Sequence, residues 1–490
     1  MKMRMWMAVA ILGAAPWATS ASVVTYHNSN QRTGAYALPT LTIAAAANMR
    51  RDSRFDGTIS GHVYAQPLFW QPKGAKNGLV IVATESNSVY ALDDKTGKVV
   101  WKTQLAPSEP LSDLPCGNID PMGITGTPVI DPETGVLYLD AMTKTGNGAR
   151  HMAYALSLAD GSVVSGWPLD IEAALANQGV SFNSAVQGER SALLLFRNNL
   201  YINYGGHFGD CGNYRGTVLQ LKTDPPAILA SWQTRATGGG IWAQGGIAGD
   251  GQSLFVTTGN TFGASDWSDG EAIIRLKPGL AHSTDPKDYF APSNWKSLDD
   301  SDQDLGGTEA LPLNVDARHG HPAKRVIAFG KDGNAYLVDR SNLGGIGGQI
   351  QTLKVSSSAI RTAPAIYETA DATMVAFANS NGGGCSGANI TMLNVAAKGS
   401  SPVTVAWCAA INGGGAPIVT TTDGVSNAIV WAAGAEGDNE LHGFNALNGQ
   451  VVFSGDGTSM SGLHHFQTVL ATKKRFYVAG DNKVYAFRWD

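Results

Sequence analysis

The sequence predicts an all-β fold, an eight-bladed β-propeller with seven blades as the next best count, and three observations predict it. First, a run of alternating apolar residues that ends in a turn returns eight times. Its clearest copy is Val89 to Gly97 (VYALDDKTG), and weaker copies begin at Ala153, Val218, Ile273, Ala335, Ile390, Leu441 and Val484. Second, another phrase precedes many of these: AQPLF at Ala65, GTPVI at Gly126, ALPLN at Ala310, TAPAI at Thr362 and GAPIV at Gly415. Third, Gly 59 in 490 residues with charged residues at 15% suits many short strands joined by tight turns. Self-similarity at a spacing of tens of residues with period-two strands is the mark of radially repeated sheets.

Taken in order, residues 1–21 read as an export signal: Lys2 and Arg4 are basic, Met5 to Ala15 are apolar, and Ala18, Ser20 and Ala21 offer a cleavage site. That stretch is too short for a membrane span. Residues 22–490 are expected to form one propeller domain, since a propeller grows by adding blades around one axis. Within it, residues 22–50 carry polar turns and read as an arm laid over the propeller. The segment from Arg54 to Ile59 reads as a strand that supplies the missing outermost strand of the last blade and closes the ring. Blades are expected at about 62–105, 123–171, 189–236, 241–281, 305–356, 360–412, 413–456 and 461–490. The acidic stretch 281–307 fits no strand pattern, and long irregular insertions in compact repeat folds are often functional.

A net charge of −5 without a sustained basic stripe excludes a nucleic-acid partner. No later apolar run is long enough to span a membrane, so the mature protein is expected in the periplasm or secreted. Four cysteines in an exported chain suggest two disulfides, with three connectivities open. The favoured pairs are Cys116 with Cys211, both in Gly-rich loops of early blades, and Cys385 with Cys408 within one blade.

The repeats, the export signal and several local motifs resemble the eight-bladed quinoprotein dehydrogenases of the methanol and alcohol dehydrogenase type, which bind pyrroloquinoline quinone (PQQ) and calcium. Gly240 Ile241 Trp242 followed by Thr257 Thr258 Gly259 Asn260 is similar to the family segment in which a Trp floors the quinone and an Asn binds the metal. These fall on what read as neighbouring strands of one blade. An indole face stacks on a planar cofactor, and an amide oxygen is a hard donor. The Gly-rich run from Tyr204 to Gly216 resembles the loop that brings an acid to the metal, with Asp210 as the matching carboxylate. In LDDSDQDL, from Leu298 to Leu305, the resemblance makes Asp302 the base and a metal ligand, and Asp304 a neighbour that orders the loop. Lys331, heading KDGNAYLVDRSN, matches the basic residue that contacts the quinone oxygens.

Departures from the pattern lie around Cys116. One cysteine stands where the family has an adjacent pair, and Met122 stands where it has an Arg for the cofactor carboxylates; Arg190 is the expected replacement cation. No CxxCH motif exists, so covalent haem is not expected and electrons would pass to a separate acceptor. His319 and His321 have an alternating spacing, and His464 with His465 precede the last blade's inner strand. The expectation is therefore a PQQ- and calcium-dependent dehydrogenase of an alcohol or sugar hydroxyl. Two alternatives stand beside it, a non-catalytic platform for a protein or glycan and a propeller-based polysaccharide lyase or hydrolase.

Overall fold

In the clearest repeat, the strand Ser88–Asp93, every residue from Ser88 to Leu92 is buried, although the sequence alternates in character. A sheet covered by a neighbour on each face loses water from both of its surfaces, which is what a blade inside a ring requires. The structure is a computed structural model and describes residues 22–316, 322–369, 372–379, 385 and 387–490. The export signal and the His319/His321 pair lie outside these residues.

Eight sheets are present among the described residues, most with four antiparallel strands in sequential order. Blade 1 comprises Leu68–Trp70, Leu79–Ala83, Ser88–Asp93 and Val99–Gln104. The inner strands of blades 2 to 8 begin at Val129, Leu194, Ala248, Leu311, Ala365, Ile418 and Leu470. The apolar core is divided among the clefts between blades: Leu68, Ile81 and Ala91 of blade 1 pack with Ile130, Leu137 and Leu139 of blade 2.

The turn glycine of the repeat has a clear task. Gly161 (φ +76°) lies under Trp101 of the preceding blade, where an added Cβ would sit 2.6 Å from the ring, and Gly449 (φ +72°) lies likewise under Trp407. Each indole N–H then donates to a carbonyl of the next blade, Trp101 to Leu158 at 3.1 Å and Trp407 to Ala446 at 2.8 Å.

The ring closes through the N-terminal chain, as expected, but with different residues. Arg50–Arg51 pairs antiparallel with Phe487 and Arg488 of the last blade. Phe55 is not in that strand. It covers Gly97 of blade 1, and its ring meets Tyr477 at 5.4 Å, while Thr58 forms a single bridge to Lys483.

Two further expectations need correction. The stretch 281–307 is not strandless: Tyr289–Ala291 is the fourth strand of blade 4, joined in parallel by Gly345–Ile346, and Trp295–Asp300 is a short helix. The arm is not laid over the surface either. It crosses the axial channel, bonding to inner strands through Val23 with Phe69, Val24 with Ile130, Asn30 with Gly249, Thr33 with Ile366 and Gly34 with Val419. Ala35–Ala37 then adds to blade 7 as a parallel innermost strand. Tyr26, His27 and Arg32 are fully buried there. Arg32 donates to the carbonyls of Ile247, Leu193 and Ala192 and to the Thr25 hydroxyl, which is how a polar segment tolerates the interior. Among the described residues no helix is long and apolar enough to cross a membrane.

Candidate functional site

In a four-stranded antiparallel blade, the loop that enters the inner strand and the turn between the second and third strands fall on the same face. The arm bonds to the inner strands at Phe69, Ile130, Gly249, Ile366 and Val419, so it fills the channel between the blades. Arg190, Trp242 and Asp302 sit on entering loops of blades 3, 4 and 5, while Asp210, Asn260 and Lys331 sit on second-to-third turns of the same blades. All six therefore share one face. Trp242 and Asn260 lie on loops at this face and not on strands.

Asp304 is the hub. Its side chain, 4% exposed, accepts the Trp242 indole N–H at 3.0 Å, the Asn260 backbone N–H at 2.8 Å and the Lys331 ammonium at 2.7 Å. Its carbonyl also accepts the Lys331 backbone N–H at 2.8 Å. Gly259 has no room for a side chain here, because a Cβ would stand 2.7 Å from Asp304 Oδ1. Lys331 Nζ donates in addition to Asp302 Oδ1 at 2.6 Å and lies 5.2 Å from the Trp242 ring centroid. Burial works against the charge of Lys331, but Asp304 and Asp302 outweigh it and hold its pKa above the ordinary lysine value. Asp302 is the open member, with 63% of its side chain exposed.

Asp210 approaches from blade 3, in the loop that the Cys116–Cys211 disulfide ties to the entrance of blade 2. Its Oδ1 accepts the Tyr214 hydroxyl at 2.6 Å. Burial raises its pKa above the usual carboxylate range; the Tyr214 hydrogen bond opposes this and Asp304 and Asp302 add to it. The second disulfide, Cys385–Cys408, is also present, so both expected pairings hold.

Beside this cluster lies a cleft lined by Tyr64, Ile119, Thr125, Arg190, Gln244, His465 and Phe466 that is nowhere wide enough to seat a water. Its floor rests on the arm, where Tyr26 donates to Gln244 at 3.2 Å. Arg190 makes no hydrogen bond or ion pair among the described residues. Burial depresses its pKa, while the charges of Asp210 and Glu85 raise it.

His464 and His465, which precede the last blade's inner strand, both stand at this face; His465 lines the cleft beside Tyr64, and its Nδ1 pairs with Glu436 at 2.6 Å. Sequence reasoning missed Tyr64, which stacks on His464 at 4.3 Å, and it missed His62 and Asp481. The expected pairing of the two chain ends was the available signal, since it brings the segment before blade 1 against blade 8.

Residues 50–164, under half of the chain, match the family profile described as outer membrane protein assembly factor BamB. Among solved structures, the quinohemoprotein alcohol dehydrogenase of Comamonas testosteroni superposes with a TM-score of 0.67 at 14% identity, covering 96% of this chain and 81% of that one. The quinohemoprotein alcohol dehydrogenase ADHIIG of Pseudomonas putida HK5 gives 0.68 at 11% identity, with 96% and 80% covered. BamB of Moraxella catarrhalis gives 0.52 at 14% identity, with 90% and 98% covered. No curated protein matches in sequence. At these identities the likeness is one of fold, and the chain is an eight-bladed β-propeller similar in architecture to these proteins.

Proposed function

We propose that the protein is an exported oxidoreductase that oxidises an alcohol or sugar hydroxyl with a planar, carboxylate-bearing quinone of the PQQ kind. The observation that carries this reading is the meeting of Trp242, Asn260, Lys331 and Asp302 around the single carboxylate of Asp304. The quinone suits the donor set in two respects. Trp242 is a half-buried indole whose plane is fixed through its N–H, and Arg190 is a cation facing a cleft without a partner, which a carboxylate of such a ring would satisfy.

Calcium suits it less well. The Lys331 ammonium stands between the carboxylates of Asp302 and Asp304, and Asp210, Asp302 and Asp304 do not converge on a common point among the described residues. Ligation by Asp210, Asn260 and Asp302 therefore requires Lys331 to withdraw.

When bound, the quinone supplies the two-electron acceptor. Asp302, the exposed carboxylate, accepts the proton of the substrate hydroxyl. Lys331 balances that carboxylate and presents a donor toward an electron-rich oxygen, at an ordinary lysine's full charge. Asp304 keeps Trp242 and Lys331 in register. Electrons then leave to an external acceptor, and the two disulfides agree with an oxidising compartment, periplasmic or extracellular.

The test is PQQ uptake by the full chain, read as a bound-quinone absorption band and a raised melting temperature, with and without Ca²⁺. Asp302→Ala is expected to keep uptake and lose dye-linked turnover, and Arg190→Ala to weaken uptake. Absence of uptake at saturating quinone overturns the reading. It would favour a protein- or glycan-binding platform, a reading supported by the cleft itself, which is too narrow to seat a water. The assembly-factor description of the profile matched at residues 50–164 points the same way.

A further inference from the structure

His62, His464 and Asp481 come from the two ends of the chain and meet at the seam between blade 8 and blade 1. His62 lies on the loop entering blade 1, His464 on the loop entering blade 8, and Asp481 on the second-to-third turn of blade 8. Their ligand atoms all lie within 4.8 Å of one another, and no other set of three His, Cys, Asp or Glu side chains converges in this way among the described residues. His464 Nε2 is 2.6 Å from Asp481 Oδ1, and His62 Nδ1 is 3.0 Å from the same oxygen. The second contact is not a hydrogen bond: His62 Nδ1 is buried and unpaired, aimed at the carboxylate without the alignment a shared proton needs.

The backbone holds this arrangement without help from the three side chains. Asp481 N–H donates to the Gly462 carbonyl at 3.0 Å, Asn482 N–H to the Gly61 carbonyl at 3.1 Å, and Gly61 N–H to Asn482 Oδ1 at 2.9 Å. Both glycines are required by the close approach. A Cβ at Gly462 (φ +64°) would sit 2.5 Å from Asp481 Cβ, and one at Gly61 (φ +112°) would sit 2.7 Å from Ser86 Oγ. The Tyr64 ring packed on His464 at 4.3 Å further fixes that imidazole.

We propose that His62 Nδ1, His464 Nε2 and an Asp481 oxygen form a binding site for a divalent transition metal of the zinc type, which clasps the ring at its closure seam. Two imidazoles and one carboxylate are a donor set for Zn²⁺, and also for Cu²⁺ or Ni²⁺, and a poor one for Ca²⁺ or Mg²⁺. Bonds of about 2.0 to 2.1 Å in a tetrahedral site place ligand atoms about 3.3 Å apart, so the pairs at 2.6 and 3.0 Å need to separate by less than about 1 Å. Three protein ligands leave a position open to water or to an anionic ligand at the functional face. The inference is independent of quinone binding.

The experiment titrates chelator-stripped, full-length protein with ZnCl₂ by calorimetry and melting, and with CoCl₂ by visible absorption. The expected result is one equivalent of Zn²⁺ and a melting rise of about 3 °C at a hundredfold excess over Kd. His464→Ala and His62→Ala should each lose more than about tenfold in affinity, and His442→Ala, at a His–Asp pair elsewhere, should lose none. CaCl₂ should give no heat. Should the alanine variants fold poorly, the Co²⁺ spectrum of the wild type still decides: intense bands of a four-coordinate site with nitrogen ligands support the proposal, and the weak spectrum of hexaaquo-like cobalt overturns it. Binding that survives all three of His62→Ala, His464→Ala and Asp481→Asn also overturns it.

Discussion

Replacing Asp52 with alanine should unlatch the ring. Asp52 follows the closing strand, its N–H donates to the Ala486 carbonyl at 2.8 Å, and its carboxylate, 1% exposed, accepts Arg475 Nε at 3.2 Å and Nη2 at 3.0 Å. Arg475 is itself only 14% exposed. Removing one partner of a buried pair leaves the other charged and unmatched, which costs about 3–5 kcal/mol. Unfolding entropy of about 2.1 cal/mol/K per residue over 490 residues is about 1 kcal/mol/K, so the melting temperature should fall by about 3–5 °C if the ring unfolds as one unit. Arg475→Gln should cost a similar amount, and the double variant less than the sum, since neither charge is then left alone. The pH dependence has a fixed sign. Burial opposes the Asp52 charge, but hydrogen bonds from Arg475 and Arg54 prevail and hold its pKa below the usual range. A depressed carboxyl stabilises the fold above its unfolded value of about 3.9, and that stabilisation is lost as the pH falls through the folded value. The melting curves of wild type and Asp52→Ala should therefore converge below about pH 4. A variant that melts within about 1 °C of wild type at neutral pH, or strictly additive losses in the double variant, would refute the latch.

Three other outcomes are expected. Removing Cys116–Cys211, which closes 95 residues, should destabilise more than removing Cys385–Cys408, which closes 23, by about 4.7 against about 3.4 kcal/mol in the chain-entropy account; urea midpoints of the paired Cys→Ser variants give the ranking. Glu309 lies buried against Gly245, and burial raises its pKa to about 7. A raised carboxyl takes up protons on folding, so stability should decline from about pH 4.5 to about pH 7, and Glu309→Gln should flatten that decline by about 3 kcal/mol in urea titrations across the range. Arg32→Met strips the donor from four buried carbonyls and the Thr25 hydroxyl, at about 1–3 kcal/mol per orphaned group before relaxation, so limited proteolysis should cut the arm where wild type resists.

The blades were legible because each repeat carries its own turn glycine and its own apolar alternation, both local signals. Where a strand is made by distant chain, the signal vanishes. Arg50–Arg51 is two charged residues with no β character, and it is a strand only because Phe487 and Arg488 offer an edge. Phe55 looked more strand-like and serves instead as the apolar cover of Gly97, the place that Trp101 and Trp407 fill in other clefts. The arm, read as laid over the propeller, runs inside it for the same reason: the partners of its polar residues are carbonyls more than a hundred residues away. At the site, the resemblance picked out residues that do meet, Trp242, Asn260, Asp302 and Lys331. It understated Asp304, whose hold on three of them depends on loops from two blades.

The buried arm bears directly on how the propeller can work. An open ring offers a continuous axial channel, whereas here Tyr26, His27 and Arg32 fill it with groups that are fully buried and largely paired. A ligand of the candidate site then sits at the face that carries Asp302, Lys331, Arg190 and the His62–His464–Asp481 seam and does not thread the ring. Arg190, with no hydrogen-bond or ion-pair partner among the described residues, lines the cleft at this face. That placement separates the two functional readings. A quinone site needs an anion held at Arg190 with Trp242 beside it, so Arg190→Ala should weaken uptake. A platform that grips a protein or glycan by the rim should hardly notice the loss of a charge sunk below it.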